Sequence, residues 1–261
     1  MTTTDLAERY SRRVALRHER LYGHGYQGPG SEAVFAELTS RLDLRPGLRL
    51  LDIGSGLGGD SFRLAERHGL TVVGLDAAPD MTAVCVERAA EQPLPGLSFV
   101  TGDVRGSQLL TPDSFDVLWT RDCGAFVPPA DKLPAWRRLH AALRPGGQVL
   151  VTDYCLGPQG ASAEFAAKMA AWGQYMLTPD AYGAMLGEAG FTDVAVEDRS
   201  RHLMDSMLAG RRLLLDEQED FLAEMTREEY DGLLDRWDRK IGFCERGELV
   251  WMVLTARRAQ S

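Results

Sequence analysis

Five aspartates in this chain stand at the ends of apolar runs, where a sheet exposes polar groups to a ligand. The run Leu50-Leu51-Asp52-Ile53 leads into Gly54-Ser55-Gly56-Leu57-Gly58-Gly59, four glycines in six residues. Such a loop lets a ligand come against the backbone with no Cβ in the way. A second run, Leu70 to Leu75, ends in Asp76, and a third is followed by Gly102-Asp103-Val104. An acid about 20 residues beyond a glycine loop suits the diol of a ribose. Two more runs end in Thr120-Arg121-Asp122 and Thr152-Asp153-Tyr154. A tight strand-to-helix turn would explain the glycines alone, and a helix cap would explain Asp76 or Asp103. The acids and glycines together point to a nucleoside-bearing ligand, with charged groups beyond it.

Those residues need a scaffold of alternating elements. Short apolar runs at 49–53, 71–75, 98–101, 115–119 and 148–153 read as strands, and the amphipathic stretches at 60–68, 81–90 and 130–143 read as helices. Strands separated by helices make βαβ units and a parallel sheet covered on both faces. Two helical patterns, 5–21 and 31–42, come first, joined by Tyr22-Gly23-His24-Gly25-Tyr26-Gln27-Gly28-Pro29-Gly30, an aromatic, glycine-rich loop. Leu143-Arg144-Pro145-Gly146-Gly147 reads as a helix stop. After Tyr154 come helical stretches at 161–175 and 179–189, a strand at 193–197, a long charged helical region at 204–240 and a last strand at 249–255. That region is placed as an insertion covering the carboxyl-end face, a lid that excludes water and positions a substrate.

Composition sets the outer bounds. At 261 residues, 44% apolar and 26% charged, the chain fits one globular domain with a substantial core. We divide it into a helical cap (1–45), a cofactor-binding core (46–155), substrate-side helices with the lid (156–248) and a final strand (249–261). A net charge of −9 argues against nucleic acid or an anionic membrane as partner. No apolar stretch reaches the roughly 18 residues of a membrane span, and residues 1–20 hold no signal core. Cys85, Cys123, Cys155 and Cys244 form no C-x-x-C pair. They read as reduced thiols of a cytoplasmic protein, with no metal expected. A monomer or homodimer is expected.

Taken together, Asp52-Ile53-Gly54-Ser55-Gly56, Asp76, Gly102-Asp103-Val104 and Leu143-Arg144-Pro145-Gly146-Gly147 resemble the class I S-adenosylmethionine-dependent methyltransferases. Within that superfamily the chain is most similar to phosphoethanolamine N-methyltransferases and, more distantly, to sarcosine/dimethylglycine methyltransferases. That likeness rests on 51–59, Thr120-Arg121-Asp122, Thr152-Asp153-Tyr154-Cys155 and Arg236-Trp237-Asp238-Arg239-Lys240-Ile241. The resemblance implies an α/β fold with a seven-stranded, mostly parallel sheet whose last strand is antiparallel, and S-adenosylmethionine as cofactor. Asp52, Gly54, Ser55, Gly56, Ala77, Arg121 and Tyr26 would hold it, with Asp76 on the ribose and Asp103 and Val104 at the adenine. Asp122 and Tyr10 would act at the acceptor nitrogen.

Departures from the resemblance shape the expected substrate. The relatives carry a histidine four residues beyond the aspartate; here that position is Phe126. Of the tyrosines, arginine and lysine that grip a phosphate in the relatives, Tyr154 and Lys240 are present. His18 and Trp172 stand in place of a tyrosine and the arginine, and the last tyrosine falls at Gln174, or at Tyr175 one residue on. A phosphate wants bidentate arginine or several donors. An aromatic wall at Trp172 suits a cationic amine instead. The expectation is therefore methyl transfer to the nitrogen of a small amine other than phosphoethanolamine, the alternative being carbon or oxygen of a specialised metabolite.

Overall fold

A computed structural model describes residues 9–30 and 32–260. Two helices, α1 (Arg12–Tyr22) and α2 (Glu32–Thr39), precede β1 (Arg49–Ile53), α3 (Gly59–His68), β2 (Thr71–Asp76), α4 (Pro79–Glu91), β3 (Leu97–Thr101) and β4 (Phe115–Arg121). There follow α5 (Pro129–Ala142), β5 (Leu143–Leu156), α6 (Ala163–Ala171), α7 (Pro179–Glu188) and β6 (Thr192–Asp198). Three helices, α8 (Ser200–Asp216), α9 (Gln218–Glu224) and α10 (Arg227–Glu245), lead to β7 (Leu249–Arg257). The first five strands pair in parallel and β7 runs antiparallel to both neighbours, in the order β3-β2-β1-β4-β5-β7-β6. This is the expected seven-stranded architecture.

Because successive strand residues face opposite sides, neighbours in one strand feed separate cores. Leu50, Val117, Trp119, Leu150 and Trp251 face a core shared with α2, α8 and α10, whereas Leu51, Leu118, Val149, Val151 and Met252 face one shared with α5 and α7. The strand order reverses between β1 and β4. Ligands of open α/β sheets bind outside the carboxyl ends at such a switch point.

Three expectations change in detail. The expected first helix begins before the described residues, and α1 starts only at Arg12. Pro145-Gly146-Gly147 ends α5 without opening a loop: β5 begins at Leu143, and its register against β4 breaks between Phe115 and Val117. The excess β5 residues bulge there while Arg144 pairs with Asp116 at 2.8 Å. The charged region at 204–240 is three helices. Its last break carries a capping box: Thr226 Oγ1 accepts from the Glu229 amide at 3.2 Å, and Glu229 accepts from the Thr226 amide at 2.9 Å. No helix of the described residues is long and apolar enough to cross a membrane.

The segment between α1 and α2 is pinned on the start of α3. The Gly59 amide donates to Gly25 at 3.1 Å, and the Gly25 amide to Glu19 at 2.6 Å. Glu19 is held in turn by Arg88 of α4 at 2.8 Å. A Cβ at Gly59 would lie 2.6 Å from the Gly25 carbonyl oxygen, closer than van der Waals contact allows. Gly59→Ala is expected to lift this segment at a cost of about 1–3 kcal/mol. Hydrogen exchange should then speed at residues 23–28 and remain unchanged in β1 and β4.

Candidate functional site

The expected cofactor and substrate residues line one cavity of about 1230 Å³ at the carboxyl ends of β1, β2, β4 and β5. Of the five aspartates that close apolar runs only Asp153 does not, being buried and accepting from Tyr182 at 3.2 Å. The 22–30 segment forms one wall, α10 another, and the stretch after α6 a third. At the nucleoside end, Gly54 adopts φ +73°, and a Cβ there would collide with Cys123 at 2.8 Å. Asp76 accepts from the Gly56 amide through Oδ2 and from the Ala78 amide through Oδ1, both at 2.8 Å. These bonds aim the carboxylate and leave lone pairs on both oxygens. Asp103 is tied to Arg105, whose guanidinium reaches its Oδ2 at 2.6 Å. It also accepts from the Arg105 amide at 2.8 Å within a turn; no helix follows before β4, so the helix cap that was its alternative reading is not formed. Ala77 and Val104 stand between these acids on the wall.

Asp52 is buried and accepts from Ser61 at 2.5 Å. Burial, with Asp60 and Asp76 nearby, raises its pKa to about 7. A cationic group in the cleft would return it to the carboxylate form. Arg121 is held by Asp60 at 3.2 Å and by the Pro29 carbonyl. Among the described residues its buried Nε has no partner, nor has Gln27 Oε1, which lines the same cavity. Tyr26 donates to Asp60 at 2.8 Å, its ring lying 5.5 Å from the Arg121 guanidinium carbon. The glycine loop, the aimed Asp76 and these unpaired buried atoms fit a nucleoside joined to an amino acid.

Asp122 lies deeper in the cleft, with a left-handed φ of +57° that aspartate tolerates better than most residues. Its Oδ1 accepts from Trp251 Nε1 at 2.6 Å and from Thr152 Oγ1 at 3.0 Å, and no hydrogen bond to Oδ2 forms among the described residues. Burial raises its pKa, opposed by Arg121 and by those two donors. Tyr10 packs edge-on against Phe126, centroids 5.9 Å apart, and burial raises its pKa. From α10, Lys240 Nζ donates to Tyr154 Oη at 3.0 Å and sits 4.2 Å from the centre of its ring. Burial lowers the Lys240 pKa to about 8. His18 is lowered to about 4 by burial and by Arg236 and Lys240, so it is neutral.

Trp172, expected inside a helix, is instead the C-cap of α6, and its carbonyl accepts from Arg9. Gln174 and the more exposed Tyr175 both line the cavity, Gln174 Oε1 without a partner among the described residues. Sequence reasoning missed Arg9 and Arg236 on these walls. Arg9 adjoins the chosen Tyr10. Arg236 precedes Lys240 by four residues on one helix and so shares its face, a spacing that could have revealed it.

A methyltransferase-domain family model matches residues 50–147. Phosphoethanolamine N-methyltransferase 1 of Arabidopsis thaliana is 35% identical over 248 residues, covering 93% of this chain and 49% of that protein. The chain thus spans about half the length of that curated relative. The structure of Haemonchus contortus phosphoethanolamine N-methyltransferase 2, in complex with phosphomonomethylethanolamine and S-adenosylhomocysteine, superposes with a TM-score of 0.93 at 27% identity. That match covers all of this chain and 61% of the other. A sarcosine/dimethylglycine methyltransferase structure from Galdieria sulphuraria shares the fold, with a TM-score of 0.84 at 18% identity over 94% of this chain and 98% of that one.

Asp76→Asn leaves one of the two backbone amides without an acceptor and removes the charge. It is expected to weaken S-adenosylhomocysteine binding about tenfold or more. Calorimetric titration at fixed salt would measure it. With its glycine loop, its aimed carboxylate and these likenesses, the chain carries a methyltransferase domain over residues 50–147 and is similar to S-adenosylmethionine-dependent methyltransferases.

Proposed function

We propose that this chain transfers a methyl group from S-adenosylmethionine to the nitrogen of phosphoethanolamine or of its N-methylated derivatives. The observation that carries this reading is a cleft lined by opposite charges. Asp122, with Oδ2 open, follows β4, and Lys240, bonded to Tyr154, comes from α10. A small molecule with an amine at one end and an anion at the other matches that polarity. The expectation of a non-phosphorylated amine rested on Trp172 and His18 in place of phosphate-binding side chains. Two further arginines on the same walls, and the likeness to phosphoethanolamine N-methyltransferases, weigh toward the phosphorylated substrate.

In this reading Asp76 takes the ribose hydroxyls, and Asp103 with Val104 borders the adenine. Asp52, the glycine loop 54–56 and Arg121 Nε meet the amino-acid end. Bound there, S-adenosylmethionine supplies a methyl group activated on a sulfonium. The nucleophile must reach it unprotonated and in line, so most of the acceleration comes from orientation and from excluding water. Asp122 Oδ2 orients the amine and takes its proton, while Trp251 and Thr152 fix the carboxylate through Oδ1. Tyr10, Phe126 and Trp172 give apolar surface to which successive methyl groups can be added, and aromatic faces attract the resulting ammonium.

Isotopically labelled methyl transfer to a panel of phosphoethanolamine, ethanolamine, sarcosine, phenols and aromatic amines tests the assignment. Label on phosphoethanolamine is expected. Label confined to a non-phosphorylated amine, a phenol or a carbon atom would overturn it. Asp122→Asn should lower kcat about a hundredfold with cofactor affinity unchanged.

The charge of Lys240 gives a second check. Below a pH of about 8 its ammonium is present and attracts an anion; above that it is neutral. Affinity for phosphocholine, whose quaternary nitrogen cannot titrate, should therefore fall as pH rises through about 8. The dependence should vanish in Lys240→Met.

A further inference from the structure

Arginines around the cleft divide into two kinds. Arg105, Arg121 and Arg239 each have a carboxylate within 4.0 Å: Asp103, Asp60 and Asp235. Arg9 and Arg236 have none among the described residues, although both line the cavity beside Lys240. Lys240 has none either, its ammonium resting on Tyr154. All three act electrostatically on His18, which they help keep neutral, so they converge on one region of the cleft. In a chain of net charge −9, with 38 acidic side chains to draw on, three cations lining one cavity with no carboxylate within 4.0 Å among the described residues give that part of the cleft a positive potential that Asp122, acting on Lys240, offsets only in part. That region is built from the residues before α1 and from α10, whereas Asp76 and Asp103 follow β2 and β3.

Arg9 is also held in place. Its guanidinium carbon lies 4.8 Å from the centre of the Phe126 ring and 5.9 Å from that of Tyr10. One Nη donates to the carbonyl of Trp172. That carbonyl is available because α6 ends there, leaving its last carbonyls without helical partners and with the negative end of the helix dipole. Stacking on a ring and one bond to a carbonyl fix the plane of the guanidinium while most of its five N–H groups stay free. A planar fork held rigid beside two other cations is suited to a tetrahedral oxyanion, which accepts two parallel hydrogen bonds from arginine.

We propose that Arg9, clamped between the Phe126 ring and the Trp172 carbonyl, is a specificity-determining residue that completes an anion subsite with Arg236 and Lys240 for the phosphate monoester of the substrate. Phe126 and Trp172 act as positioning residues for this guanidinium. The amine end of the substrate then lies at Asp122. The inference rests on the phospho-amine reading above and names the groups that would enforce it.

Two measurements keep failure of the subsite distinct from failure of that reading. In the first, KM for phosphoethanolamine is measured for the parent chain, Arg9→Gln and Arg9→Lys, with S-adenosylhomocysteine affinity as the control for folding. Arg9→Gln should raise KM for phosphoethanolamine about tenfold to a hundredfold, with cofactor affinity within about twofold of the parent, since a hydrogen-bonded charge has been removed. Arg9→Lys should recover only part of the loss, because an ammonium lacks the fork. In the Arg9→Gln background, Trp172→Arg should lower KM again by returning a cation to the same wall. An unchanged KM in Arg9→Gln overturns the subsite and leaves the activity standing.

The second measurement is titration of the cofactor-loaded protein with phosphocholine, which needs no turnover. Weaker binding to Arg9→Gln supports the subsite even if phosphoethanolamine is not methylated. Equal binding to both proteins, or binding to neither, overturns it.

Discussion

Asp60 is the fastening on which the site depends. It sits in the first turn of α3, directly after the glycine loop, and is almost fully buried. One oxygen takes the Tyr26 hydroxyl at 2.8 Å; the other takes the Trp119 indole at 3.0 Å and Arg121 at 3.2 Å. A carboxylate in this setting is tolerated only because donors surround it. Its partners come from the segment covering the cleft, from the middle of β4 and from the end of β4. A single charge thereby fixes where the 22–30 wall sits relative to the sheet, and keeps Arg121, the neighbour of Asp122, pointing toward the cofactor end. The placement also follows the helix dipole, since a negative group is favoured at a helix N-terminus.

Much of this was legible from the chain alone, for reasons that differ by element. Parallel strands buried on both faces read as short continuous apolar runs, so β1 through β5 stood out, and β1 matches its expected span of 49–53. Asp76 and Asp122 were visible because each closes such a run. The capping box at Thr226 and Glu229 was present in the sequence as Thr-x-x-Glu, and reading it would have divided the charged region into its helices. The end of α6 was harder. Ala163–Ala171 continues a helical pattern through Trp172, and only Gly173, in a left-handed conformation, stops it. That one break changes Trp172 from an aromatic wall alone into a wall whose carbonyl holds an arginine.

Electrostatics were the least legible part. A net charge of −9 argued against nucleic acid or an anionic membrane as partner, but a small ligand sees the few groups lining one cleft rather than the whole surface. Many acids are instead in surface pairs such as Arg12 with Glu87 and Arg20 with Glu217, which carry little consequence for stability. Phe126 and Trp172, taken singly, subtract polar groups from the cleft; in three dimensions both hold Arg9. Compensation of this kind joins residues far apart in sequence and leaves no trace in local spacing.

The hydrogen bond from Trp251 to Asp122 crosses 129 positions of sequence and comes from the last strand of the sheet to be synthesised. Tyr10, facing the same cleft, belongs to the opposite extreme of the fold. Contacts of such separation form late, because the chain between them must already be ordered before the gain is realised. On the ribosome, the glycine loop and Asp76 can meet long before residue 251 leaves the exit tunnel, while Asp122 still lacks its indole donor. The cofactor half of the cleft is thus closed by residues 20 positions apart, whereas the acceptor half waits on one 129 positions away.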